Sequence, residues 1–177
     1  MTVAPVLPVA DSPEPATRAA GIVVDVFDRL GVEVALGVAD SQLSDVLTAI
    51  AQRVPLVFAA REDAAVAMAV GMELAGRRAA VFMKNAGLGT SLDSLISLAI
   101  AAEVPVVLVV GWAGSGRDTL PHHVVMGDRT IALLEAAGIE YDIVRHTGHP
   151  GDAAAFSARA ERAAQRSRKP YALVVEP

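Results

Sequence analysis

The chain has 177 residues, no cysteine, a formal charge of −5, 53% hydrophobic residues with only 4% aromatics, and a mean hydropathy of +0.45. Without thiols, disulfides, Cys–zinc sites and cysteine nucleophiles are excluded. Basic residues are scattered apart from Arg166, Arg168 and Lys169, which argues against nucleic acid, and no apolar run reaches the ~18 residues that span a bilayer.

A core of Val, Ala, Leu and Ile suits parallel strands buried on both faces, and the surplus of hydropathy points to a large subunit contact. The first sixteen residues hold Pro5, Pro8, Pro13 and Pro15 and no basic residue. They lack the charged start and unbroken apolar stretch of a secretory signal. Residues 1–16 are therefore expected to be a flexible tail ahead of one domain over 17–177, in a cytoplasmic protein.

Ile22, Val23, Val26, Phe27 and Leu30 recur at helical spacing, with Gly31 as C-cap. Val32 to Val38 reads as a buried strand, and Asp40 or Ser41 caps a second helix through Leu43, Val46, Leu47 and Ile50. Pro55 to Ala60 is the next strand, followed by an Ala-rich helix that opens at Glu62 and ends near Gly76. Ala79 to Met83 is the third strand. Asn85 to Gly89 is expected to turn the chain into a helix from about Ser91 to Glu103. Pro105 to Val110 is a fourth strand, and the longest loop runs from Gly111 to about Gly127. A helix from Asp128 to Ala137 stops at Gly138, Tyr141 to Val144 is the fifth strand, a helix starts near Asp152, and Tyr171 to Val175 is the last strand. Alternation of this kind, with short connections, predicts a three-layer α/β/α fold on a six-stranded parallel sheet.

In such a fold, the loops after the strands meet along one edge, where ligands collect. Glu62 stands at that edge. Its small apolar neighbours favour the neutral acid and its helix N-terminus favours the carboxylate, so its protonation state stays open. A first-turn acid placed only to suit the helix dipole explains the same position. Asn85 to Gly89 either lets a ligand approach the backbone or is a tight turn that needs glycine for its dihedrals. Gly87-Leu-Gly89 lacks the third glycine of a dinucleotide fingerprint, and Gly111 to Gly116 has P-loop spacing without the Lys-Ser/Thr that should follow. His122 and His123 are adjacent in the long loop, an unusual spacing for zinc, and suit proton transfer or anion binding unless they are merely exposed. His146 and His149 fall in the opposite-edge turn and are read as solvent residues, and Ser41 and Ser115 have no visible triad partners.

The run Arg61-Glu62-Asp63-Ala-Ala-Val-Ala-Met-Ala-Val-Gly71 resembles the pyrimidine-binding domain of thiamine-diphosphate enzymes. Met83-Lys84-Asn85-Ala-Gly87-Leu-Gly89-Thr-Ser is similar to the M-x-N-S-G-L-G-N-S stretch of sulfopyruvate and phosphonopyruvate decarboxylases. Their P-x-H-x-x-x-G is matched by Pro121-His122-His123-Val-Val-Met-Gly127, so the likeness runs from about Ala19 to Val175. The resemblance implies that Glu62 hydrogen-bonds N1′ of the aminopyrimidine and exchanges a proton with it, which a Gln could not do. Glu62 and His123 are the catalytic candidates it implies. Glu62, Asn85, Gly87 and Gly89 would hold the cofactor, and Ser41, Lys84, His122 and His123 would meet the substrate. Lys84 and His122 each stand where relatives often have Gln. Lys84, His123 and helix N-terminal amides would suit a sulfonate or phosphonate.

Relatives bind the diphosphate and Mg²⁺ through a G-D-G…N motif in a second domain, and this chain has Gly127-Asp128-Arg129 instead. The resemblance therefore implies the α-type subunit of a split 2-oxo acid decarboxylase, inactive without a β-type partner that carries the diphosphate domain and Mg²⁺, in an α₂β₂ or larger assembly. Two alternatives remain open: a non-catalytic α/β binding or regulatory subunit, and half of a carboligase or acyl-transfer enzyme using the same cofactor.

Overall fold

A computed structural model describes residues 17–116, 118–145, 149 and 152–176. The expected tail over 1–16, His146 and the turn through Gly148 and Pro150 lie outside the described residues. In chain order, the elements are α1 (Arg18–Leu30), β1 (Val34–Gly37), a 3₁₀ turn (Ser41–Leu43) leading into α2 (Ser44–Ala51), β2 (Leu56–Phe58), α3 (Glu62–Leu74) and β3 (Ala79–Lys84). Then come α4 (Asn85–Asp93) with a π-helical continuation (Ser94–Ile100), β4 (Val107–Gly111), α5 (Pro121–Ala137), β5 (Glu140–Arg145), α6 (Asp152–Arg162) with its own π-helical end (Ala163–Ser167), and β6 (Tyr171–Glu176).

All six strands are parallel, in the order β2-β1-β3-β4-β6-β5. The three-layer α/β/α fold expected from the sequence is the one observed. Central β4 is buried along its whole length, while β2 and β5, which end the sheet, are partly open and β5 carries charge, as edges that must not recruit further strands should be. Alternate residues of each strand feed two cores. Ala80, Phe82, Val107, Val109 and Leu173 pack with α1, α2 and α6. Val81, Met83, Leu108, Val110 and Val174 pack with α3, α4 and α5. Each fully buried aliphatic side chain of this kind contributes ~1.5–3 kcal/mol relative to exposure.

Both helix stops expected from glycine are present: Gly31 and Gly138 close α1 and α5 in left-handed conformation. Two expectations fail. Asn85 to Gly89 is no turn, because α4 begins at Asn85 itself and neither Gly87 nor Gly89 has positive φ. The loop after β4 does not reach Gly127, because α5 starts at Pro121, a residue whose fixed φ suits the first helical position. Gly127 lies inside that helix for want of room: a Cβ there would stand 2.7 Å from the carbonyl oxygen of Ala113. His122 and His123 thus belong to a helix's first turn rather than a loop.

Candidate active site at the carboxyl edge of the sheet

Glu62 is the first residue of α3, directly after edge strand β2. Its neighbour Asp63 does the structural work of the helix start. Asp63 accepts from the Ala64 amide at 2.9 Å and from Arg61 at 3.0 Å. The hydrogen bond from Arg61 holds the Asp63 carboxyl below its ordinary range. Glu62 takes no part in this. Its side chain runs across to α4 and lies on Gly87, where an added Cβ would come within 2.4 Å of Glu62 Cγ. Among the described residues no hydrogen bond reaches its carboxylate, and its charge acts on Arg61. Gly87 is therefore small to seat this acid, whereas Gly89 meets only an ordinary 3.7 Å contact with Met126.

A second group forms between the loops after β1 and β4 and the start of α5. Lys84, the last residue of β3, places Nζ 2.7 Å from His123 Nε2, and His123 Nδ1 lies 2.7 Å from Asp118 Oδ2. That same oxygen accepts from Gln42 Nε2 at 2.8 Å and from the Gly114 amide at 3.0 Å, while Oδ1 accepts from the Leu120 amide at 3.3 Å. Partial burial disfavours the charged carboxylate, but the bonds from Gly114, Leu120, His123 and Gln42 outweigh it and lower the Asp118 pKa to about 2. Asp40 caps the 3₁₀ turn through the Gln42 amide.

The other sequence candidates divide. Asn85 is fully buried. Its amide nitrogen donates to the Ala113 carbonyl and to Thr130 Oγ1, both at 2.8 Å, tying α4 to the β4 loop and α5. Only Asn85 Oδ1 is left, buried and without a partner, in company with Asp40 Oδ2 and Gln42 Oε1. His122 is exposed and makes edge contact with the His123 ring, with centroids 4.4 Å apart. Ser41 is exposed on the 3₁₀ turn, and Gln42 beside it is the residue that joins the network. Neither Asp118 nor Gln42 was legible as a site residue in the sequence. They are 76 positions apart, and no local spacing signals such a pair. A surface depression of about 280 Å³ between Arg29, Leu30, Arg78, Glu161, Ala164 and Gln165 lies at the opposite, amino edge and touches none of these groups. Among the described residues there is no cluster of His, Asp and Glu able to hold a metal ion, and no helix is long and apolar enough to cross a membrane.

Residues 17–130 match the family described as thiamine pyrophosphate enzyme, N-terminal TPP binding domain. The chain belongs to this family. It is 24% identical over 125 residues to sulfopyruvate decarboxylase of Methanosarcina acetivorans, covering 71% of this chain and 32% of that protein. It is 30% identical over 90 residues to the sulfopyruvate decarboxylase alpha subunit of Methanococcus maripaludis, covering 51% and 52%. A phosphonopyruvate decarboxylase of Streptomyces viridochromogenes is 33% identical over 88 residues, covering 49% and 22%. The chain thus spans about a third to a half of the first two relatives. A crystal structure from Mycobacterium smegmatis, described as a putative thiamin diphosphate-dependent enzyme, superposes with a TM-score of 0.70 over 89% of this chain and 30% of that one, at 21% identity, and shows the shared fold. The decarboxylase family to which the motifs pointed is the one these relatives represent.

The seat of Glu62 fits the pyrimidine of this family's cofactor. A carboxylate that no described residue hydrogen-bonds is held over a glycine on a helix, and Asn85 Oδ1, without a partner among the described residues, is a further acceptor at the start of that helix.

Proposed function

We propose that this chain is the pyrimidine-binding half of a split thiamine-diphosphate-dependent decarboxylase whose substrate is a small anionic 2-oxo acid, sulfopyruvate or phosphonopyruvate. The observation that carries this reading is the placement of Glu62. Asp63 satisfies the helix start and the ion pair with Arg61, so Glu62 is left uncommitted on its glycine seat. When bound, the cofactor would supply an electron sink for the carbanion left by CO₂. Glu62 would hold the ring nitrogen N1′ and pass a proton to and from it. A carboxylate can change protonation state in place and an amide cannot, which is why the residue type matters.

Lys84 is the cation of the second group, and its ammonium would meet the substrate's carboxylate or its sulfonate or phosphonate. His123 would orient that ammonium. The diphosphate and Mg²⁺ would be held by a β-type partner chain. Apolar side chains left open on β2, α3 and the π-helical end of α4 support such a contact: Phe58 is 51% exposed, Leu74 70%, and Met68, Ile96 and Leu98 are also open. Patches of this kind mark protein interfaces. Phe58 ends the strand that leads to Glu62, so a partner seated on this face would reach the acid.

The test is co-expression with a neighbouring reading frame that carries G-D-G…N, purification of the complex, and assay of CO₂ release from sulfopyruvate and phosphonopyruvate. Release that requires thiamine diphosphate, Mg²⁺ and both chains is expected. A complex that binds the cofactor and releases no CO₂ from either acid would contradict the proposed reaction.

A further inference from the structure

The Lys84–His123–Asp118 group permits few arrangements of its protons. An ionised carboxylate can only accept hydrogen bonds, so His123 Nδ1, 2.7 Å from Asp118 Oδ2, must carry a hydrogen. On the other side, His123 Nε2 lies 2.7 Å from Lys84 Nζ, room for one proton between two nitrogens. A doubly protonated ring facing an ammonium would set donor against donor. Of imidazole and amine the amine is ordinarily the stronger base, so the shared proton belongs to lysine and Nε2 is bare.

We propose that Asp118 is a positioning residue of this site: it fixes His123 as the neutral Nδ1–H tautomer, whose bare Nε2 anchors the Lys84 ammonium at the carboxyl end of β3. An ammonium has three N–H bonds. One is spent on His123, and no bond to another described residue takes the remaining two. They are presented to acceptor oxygens of an anionic ligand. That the ligand is the substrate rests on the proposed function; the arrangement of protons does not. The geometry explains why Asp118 is gripped so fully. Backbone amides from both ends of its own loop and the Gln42 side chain from the loop after β1 hold it still, and a fixed acceptor sets a fixed tautomer.

Gln42 Nε2, the Gly114 amide and His123 Nδ1 all meet the same oxygen, Oδ2, so an asparagine that turns its carbonyl oxygen there keeps these three bonds and the tautomer with them. A purely structural Asp118 and a positioning one part at His123 when the acceptor is removed altogether: with Asp118→Ala and Lys84→Met together, nothing described at either ring nitrogen selects a tautomer. The experiment is long-range ¹H–¹⁵N correlation NMR on the full chain with labelled histidine, near neutral pH, with His123 assigned by the signal lost in His123→Gln. The wild-type chain is expected to show protonated Nδ1 and bare Nε2. Lys84→Met and Asp118→Asn are expected to keep the wild-type pattern, while Asp118→Ala added to Lys84→Met is expected to move the hydrogen from Nδ1 toward Nε2. A bare Nδ1 or a doubly protonated His123 in the wild type overturns the proposal, and so does a folded chain with Lys84→Met and Asp118→Ala together whose ring is unchanged. Should the double variant fail to fold, the wild-type spectrum and the Lys84→Met variant decide. A Lys84→Met chain that switches tautomer would make lysine the determinant and overturn the role of Asp118. Failure of the thiamine reading would appear separately, as a complex without cofactor-dependent CO₂ release and with this spectrum intact.

Discussion

Two carboxylates stand at the same edge of the sheet and are treated in opposite ways. Asp118 receives hydrogen bonds from two backbone amides, Gln42 and His123, which lower its pKa to about 2. Glu62 receives none from the described residues and rests on Gly87 of α4, where there is no side chain. An acid gripped by donors is locked in its charged form and serves as a fixed point. An acid with no donors has its oxygens free to meet a ligand, as proton exchange with that ligand requires. The contrast is local: Asp63, next to Glu62, is of the gripped kind.

Changes that attack this contrast should differ in size. The largest effect is expected from Glu62→Gln, which keeps shape and removes proton exchange. Turnover of the assembled complex should fall by at least ~10²-fold, with circular dichroism and melting temperature of the chain unchanged; near-normal turnover would place Glu62 with the structural acids. Next comes Gly87→Ala. Alanine is favoured over glycine inside a helix by ~1 kcal/mol, and what its Cβ meets first is the flexible Glu62 side chain at 2.4 Å. Thermal stability should hold or rise slightly while turnover drops about tenfold or more, as expected when a catalytic group is displaced. Stability and activity falling together would mean that the glycine serves packing alone.

The gripped acid should show itself in acid. The Asp118 carboxyl is lowered from 3.8 to about 2, so its contribution to stability is complete above 3.8 and is lost as the pH falls through about 2. Asp118→Asn should be less stable than wild type above 3.8, and the difference should shrink toward pH 2 in denaturant melts; a constant difference would show that the charge is not what matters. The smallest effect is expected at Glu73, near the opposite edge. Burial raises its pKa, against the hydrogen bond from the Ala79 amide and the nearby Arg78. A raised acid gives stability that is complete below its unfolded value of 4.5 and lost as the pH rises through the folded value. Glu73→Gln keeps an acceptor for Ala79 and should change stability at neutral pH by less than ~1 kcal/mol, toward stabilisation.

Much of this architecture is readable in the chain because local and long-range preferences agree there. The Val-rich strands, the stops at Gly31 and Gly138 and the cap at Asp40 each follow from one residue's own chemistry. Glu62 is readable for the same reason, since a strand ending at an acid that opens a helix is a local pattern. What escapes is what two distant segments decide jointly. Gly87 and Gly127 look like turn residues, yet each is small because another part of the chain presses against it, Glu62 in one case and the loop after β4 in the other. The misjudged start of α5 follows directly, because a glycine demanded by a neighbour's carbonyl reads as a helix breaker. Asn85 announces a polar site, but its amide is consumed by Ala113 and Thr130. Asp118 stands in a loop with no local pattern to mark it, although it anchors the second half of the site.

The account turns on what Glu62 touches when the enzyme is assembled. A crystal structure of the complex with thiamine diphosphate tests this most directly. The account predicts a Glu62 carboxylate oxygen within hydrogen-bond reach, ~2.6–3.2 Å, of the pyrimidine N1′, still lying on Gly87. A Glu62 side chain turned to solvent, or engaged by an arginine or lysine of the partner while N1′ meets another group, would contradict it.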